Sequence, residues 1–117
     1  VTSDPSCIFC KIVRREVASD EVLRDEHVVA FRDLKPVAPT HILVVPTVHV
    51  AHLSEFAERA NALASVRLLA AAAELGARFG STRGYRVVTN EGRDAGQSVF
   101  HFHLHVLAGR KLHWPPG

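Results

Sequence analysis

The sequence predicts an α+β domain: a five-stranded antiparallel sheet with one main helix and a short N-terminal helix. Three observations carry this. Residues Phe100 to Val106 alternate strictly between apolar side chains and histidine, the period of a half-buried strand. Four other short runs rich in β-branched residues, at 21–25, 27–33, 41–46 and 85–90, are bounded by turn residues. One long stretch, from about Ala57 to Phe79, repeats Leu63, Val66, Leu69, Leu75 and Phe79 near a period of 3.6 on a background of alanine.

In chain order, residues 7–15 form a short helix, with Asp4-Pro5-Ser6 offering capping side chains and Ile8, Phe9 and Ile12 on one side. Two strands follow, joined as a hairpin through Asp25-Glu26. The loop from Leu34 to Thr40 contains two prolines, which cannot donate to a ladder. His41 to Val45 is apolar on both faces and reads as a central strand ended by Pro46. Leu53 to Phe56 starts a short helical turn, and the long helix closes at the Gly80–Gly84 segment. After the fourth strand, the polar loop Glu91–Gln97 leads into the histidine strand, and a short tail ends in Trp114-Pro115-Pro116-Gly117.

At 117 residues the chain is one domain, 1–117, near the small end where subunit association often helps. A formal net charge of +2 is too small to argue for a nucleic-acid groove, though it suits a small anion such as a phosphate ester. No run of eighteen apolar residues predicts a membrane span, and Val1-Thr2-Ser3-Asp4-Pro5 shows no secretory signal. A cytoplasmic protein with no membrane partner is expected. The two cysteines, Cys7 and Cys10, are spaced C-x-x-C, which without a secretory signal favours a metal or redox role over a structural disulfide.

The chemistry gathers on the histidine strand. Phe100, Phe102, Leu104 and Val106 face a core, and His101, His103 and His105 share the other face with neighbours about 7 Å apart. No packing argument asks for three histidines in a row. A neutral imidazole can attack phosphorus without being repelled by the phosphate, giving a phosphoramidate that water then cleaves. His103, in the middle, is the expected nucleophile. Gly96-Gln97-Ser98 can offer donors to the phosphate oxygens.

His101-Phe102-His103-Leu104-His105-Val106-Leu107 matches the pattern His-φ-His-φ-His-φ-φ, where φ is apolar. With Cys7-Ile8-Phe9-Cys10-Lys11-Ile12, Ala38-Pro39-Thr40-His41, Asn90-Glu91-Gly92, Gly96-Gln97-Ser98 and the ending His113-Trp114-Pro115-Pro116-Gly117, the chain resembles the Hint branch of the histidine-triad superfamily over nearly its whole length. The resemblance implies a purine nucleoside phosphoramidase or nucleotidyl hydrolase of the adenosine 5′-monophosphoramidase type, acting at the α-phosphorus through a nucleotidyl-histidine on His103. It implies that the His101 carbonyl orients His103, that His105 and Ser98 contact phosphate oxygens, and that His41 supports the triad from behind. It places Asn90 and Gln97 near phosphate and ribose, and Asp33 on the ribose hydroxyls. Ile8, Phe9, Ile12, Phe31 and Leu34 would line the base slot. It also implies a homodimer whose two sheets join into one, with the tail, about 109–117, at the interface and Trp114 reaching toward the partner's site.

Plainer roles compete. Asp33 and Asn90-Glu91-Gly92 suit turns, the apolar slot residues suit a core, Trp114 suits an interface anchor, and Ser98 suits a strand start.

Some bacterial relatives of this kind hold structural zinc. By that resemblance Cys7, Cys10, His49 and His101 form a closed Cys₂His₂ site, while the family's chemistry needs no cofactor. Three rival functions remain open from the residues. The first is a zinc hydrolase, with two strand histidines at i and i+2 plus His41 or His49 holding a metal-bound water. The second is a non-catalytic nucleotide-binding dimer. The third, a thiol redox protein, lacks the setting that C-x-x-C has in thioredoxins.

Overall fold

Cys7 starts the first helix, α1 (Ile8–Val13): its Sγ accepts the Cys10 N–H at 3.4 Å, occupying one of the donors that a helix N-terminus leaves free. The other end is held by Arg24, whose guanidinium donates to the Val13 and Ile12 carbonyls at 2.9 and 3.3 Å. The computed structural model describes residues 3–117; Val1 and Thr2, part of the segment read for a secretory signal, lie outside the described residues.

The strands are β1 (Glu21–Arg24), β2 (Val28–Arg32), β3 (Thr40–Pro46), β4 (Arg86–Val88) and β5 (Leu104–Ala108). All pairings are antiparallel, in the order β1-β2-β3-β5-β4. The fold class and the β1–β2 hairpin are as the sequence predicts. β2–β3 and β4–β5 are likewise consecutive antiparallel neighbours; only β3 and β4 are apart, because the helices between them carry the chain to the far edge and β5 returns to fill the gap. The β1–β2 corner is fixed by Asp25, whose carboxylate accepts the His27 and Val28 N–H groups and two bonds from Arg67 on the long helix.

The helix expected from Ala57 to Phe79 is two helices, α2 (Leu53–Arg59) and α3 (Ala62–Gly80). Asn61 causes the break. Its side chain accepts the Ala64 N–H at 2.7 Å and caps α3. The packed face also differs from the expected one. Of the expected stripe, Leu75 is in the core and Phe79 lies against it, but Leu63, Val66 and Leu69 are exposed; Leu68, Ala71 and Ala72 join Leu75 against Ile42, Val44, Phe102 and Val106. Alanine lets the helix approach the sheet closely, so the small residues face inward.

A close approach elsewhere needs glycine. A methyl group added at Gly76 would overlap the Tyr85 ring. Gly76→Ala is therefore expected to destabilise the fold by about 1–3 kcal/mol, as overpacking does; urea midpoints of the two proteins check it.

The other face of the sheet carries a second apolar cluster, Phe9, Ile12, Val29, Phe31, Leu43 and Val45, which α1 covers. The histidine face is thus not the open polar face expected from alternation. No helix among the described residues is long and apolar enough to cross a membrane.

Candidate active site and metal centre

The ladder of β5 begins at Leu104, paired with Val44, and not at Phe100 as the alternation suggests. Continuing that register would set Phe102 against Pro46, which has no N–H to give. His101 to His103 therefore lie outside the ladder. Other bonds hold them. The Phe102 N–H donates to the Val50 carbonyl at 2.7 Å, and Thr89 Oγ1 donates to the His103 carbonyl at 2.9 Å. Phe102 is buried as expected, but Phe100 is 53% exposed and belongs to no core.

The three histidines enter three different environments. His103 Nδ1 donates to the His101 carbonyl at 2.7 Å, which leaves the lone pair of the neutral ring on Nε2. The Val37 N–H donates to His41 Nδ1 at 3.1 Å, so the neutral His41 ring carries its proton on Nε2. That nitrogen lies 2.9 Å from His105 Nδ1 and donates to it, so His105 carries its own proton on Nε2. Neither His103 Nε2 nor His105 Nε2 is a buried atom lacking a partner, so both reach solvent. Their rings are 4.9 Å apart between centroids. The result is a nucleophilic nitrogen beside a hydrogen-bond donor, fixed by backbone groups at both ends.

Burial keeps these rings neutral. It pushes His105 down to about 4 and lowers His103 and His41, and it outweighs the Asp33 carboxylate, which pulls all three upward. Between the ordinary value near 6.5 and the lowered values, the unfolded chain binds protons that the folded chain refuses. The stability these three rings contribute is therefore complete above about pH 6.5 and is lost as pH falls through their lowered values, which for His105 means about 4. A ring-resonance titration should place the His105 midpoint near 4.

Asp33, His41 and His105 bring three potential metal donors within 4.8 Å. His41 and His105 are hydrogen-bonded to each other instead, with Asp33 alongside. The Val37 N–H occupies His41 Nδ1, so the His41 proton must stay on Nε2 and no lone pair faces the cluster. Asp33 Oδ1 accepts the Lys35 N–H at 2.8 Å in a turn, and Oδ2 lies 3.5 Å from His41 Nε2. Asp33 is thus a turn residue that also faces the histidines.

His101 turns the other way and is fully buried. Its Nε2–H donates to the Pro46 carbonyl at 2.9 Å, which leaves the Nδ1 lone pair free. That nitrogen lies 3.4 Å from Cys7 Sγ, 3.5 Å from Cys10 Sγ and 3.2 Å from His49 Nδ1, and His49 Nδ1 is 3.4 Å from Cys10 Sγ. A tetrahedron with zinc-type bond lengths has edges of about 3.3 Å between nitrogens and about 3.5 Å from nitrogen to sulfur. The four donors fit. Each sulfur also accepts one backbone N–H, Cys7 from Cys10 and Cys10 from Asp4. Both cysteines are free thiols. The four residues expected as metal ligands therefore converge, and they could hold a zinc ion.

Other expected site residues behave differently. Gln97 is buried, and its side chain braces the loop: Oε1 accepts the Gly92 N–H, and Nε2 donates to the Ala51 and Val99 carbonyls. Both of its side-chain N–H groups are engaged in these bonds. Asn90 is half-buried beside Gly96. Ser98 is exposed and lines a surface hollow with Cys7, His49 and Phe100. Of the proposed base slot, Phe9, Ile12 and Phe31 are buried in the second cluster, with Phe9 edge-on to His103 at 5.2 Å. Ile8 is exposed and Leu34 is 94% exposed. Trp114 is 79% exposed, with the Arg86 guanidinium 5.9 Å from its ring centre.

Sequence reasoning missed Pro46, Val37 and Thr89, which orient His101, His41 and His103. Two of these act through backbone groups, which leave no residue signature. It also read Asp4 only as a helix cap.

Comparison with known proteins places these features. The HIT domain family matches residues 14–112. The 14 kDa zinc-binding protein of Zea mays is 44% identical, over 97% of this chain and 90% of its own length. A HIT family hydrolase from Legionella pneumophila superposes with a TM-score of 0.89 at 40% identity, covering 96% of this chain and all of the other. A histidine triad protein from Clostridium difficile gives 0.86 at 41% identity, covering 95% and 96% of the two chains.

Proposed function

The chain belongs to the HIT family, and from that premise we propose that it is a nucleotidyl hydrolase cleaving P–N bonds of purine nucleoside monophosphate derivatives. The observation that carries this is the pair of opposed tautomers: a lone pair on His103 Nε2 next to an N–H on His105 Nε2. The fold is shared with proteins described as HIT family hydrolases.

His103 Nε2 attacks the α-phosphorus while its Nδ1–H stays on the His101 carbonyl, which stabilises the positive charge the ring acquires. The His105 N–H bonds a phosphate oxygen where negative charge builds. The P–N bond of the substrate breaks, and the amine leaves beside Ser98 with a proton taken from solvent. Water then attacks the nucleotidyl-histidine, giving the monophosphate and restoring His103. Asn90 and Asp33 are the remaining polar candidates for phosphate and ribose.

Zinc at Cys7, Cys10, His49 and His101 would tie α1 to the root of the catalytic segment. The donor spacing and the zinc-binding maize relative support this. A homodimer is supported by β4 being an edge strand with Val87 exposed, and by the exposed Leu63, Val66 and Leu69 stripe on α3. The tail with Trp114 would then lie at the interface.

The test uses adenosine 5′-monophosphoramidate as substrate. Ammonia and adenosine monophosphate should appear in equal amounts, and a chelator should slow turnover without abolishing it. Complete loss on chelation by a protein that stays folded would favour metal-bound water as the nucleophile.

A further inference from the structure

We propose that His101 is a positioning residue that couples the Cys₂His₂ centre to the nucleophile, so that metal occupancy sets the rate of attack by His103. The inference rests on the nucleotidyl-histidine reading above. A metal that merely pinned α1 would leave His103 indifferent to it. The local geometry argues otherwise. His101 to His103 lie outside the β5 ladder, so the sheet does not fix them. His101 directs its ring Nδ1 into the donor cluster and its backbone carbonyl onto His103 Nδ1 at 2.7 Å. One residue thus faces both centres, and only the bonds of its own ring and peptide lie between them.

The neighbouring ties share this dependence. His49, a cluster member, is followed by Val50, whose carbonyl receives the Phe102 N–H. The ring of His101 is anchored on Pro46, and residues 46 to 50 thereby hold residues 101 and 102 at three points when the cluster is filled. With the cluster empty, the Pro46 and Val50 bonds remain, and the tie between His49 and His101 is gone. Asp4 supports the same assembly. Its N–H donates to Cys10 Sγ, and its carboxylate lies 3.9 Å from His49 Nε2. Because a small displacement of a reacting group is costly, release of the metal should slow adduct formation by about ten- to a hundredfold. Nucleotide affinity should change little, because none of the released contacts belongs to the exposed nitrogens that meet substrate.

Adduct formation puts a positive charge on the His103 ring and strengthens its pull on the His101 carbonyl, and the same residue carries that change to the donor cluster. The cobalt(II)-loaded full chain provides a readout other than rate, since cobalt in a Cys₂His₂ site absorbs visibly. On mixing with adenosine 5′-monophosphoramidate, the cobalt spectrum should shift in step with the appearance of adduct on His103. The chelated protein, checked for fold by circular dichroism, should show the slower adduct formation with an unchanged KM. An unshifted cobalt spectrum while adduct accumulates would overturn the coupling and leave the catalytic reading standing, whether or not the metal-free chain folds. Equal adduct rates with and without metal would do the same. Absence of any adduct in the loaded protein would overturn both.

Discussion

His103→Ala should lower turnover by about 10⁴-fold or more, while binding of adenosine monophosphate stays within a few-fold of the parent. The size of the effect follows from the tautomers. No neighbouring imidazole can take over the attack. His105 presents an N–H to solvent, His41 has both ring nitrogens engaged, and the His101 lone pair points into the cysteine cluster. The His103 ring is nearly buried with one nitrogen outward, so its removal does not leave a charged partner stranded. Steady-state turnover beside calorimetric binding separates the two effects. Loss of both together would point to misfolding, and turnover within tenfold of the parent would exclude the mechanism.

Stripping metal should lower the melting temperature by about 10 °C or more. An ion held at a thousandfold excess over its dissociation constant contributes about 4 kcal/mol to the folded state, and each kcal/mol moves a domain of this size by roughly 4 °C. The N-terminal helix is only one and a half turns long, too short to persist without tertiary support. Its support is Phe9 and Ile12 on the second cluster and the two sulfurs beside His49 and His101. Cys10→Ala should show the low melting temperature at once and no further fall with chelator. Differential scanning calorimetry with and without chelator checks both. An equal melting temperature in the two conditions would remove the metal from the account.

Much of this was legible in the residues. Alternation from Phe100 to Val106 separated three histidines from an apolar face, and C-x-x-C with His49 and His101 named a cluster that the fold assembles. What alternation could not register was that Pro46 stands where the ladder would continue, so pairing begins four residues after Phe100 and the nucleophile lies on unpaired chain. In the long helical stretch two apolar stripes competed, and size suggested the wrong one: Leu63 and Leu69 face outward, while alanines fit the narrow gap to the sheet. Asn61 carried a cap signal inside a continuous helical period, and the cap prevailed. The site's polar logic was the least visible part: beyond the His101 carbonyl, it depends on the Pro46 carbonyl and the Val37 N–H, groups that leave no residue signature. Gln97 shows the converse. A side chain suited to phosphate is consumed by the loop that was expected to present it.

The most direct measurement is intact-protein and peptide mass spectrometry after rapid mixing with adenosine 5′-monophosphoramidate, quenched under alkaline denaturing conditions that preserve phosphohistidine. One adenylyl group should appear on the peptide that carries residues 101–108, localised to His103 and absent from His103→Ala. Steady turnover with no protein-bound nucleotide at any time, or attachment to His105 or His41 instead, would contradict it.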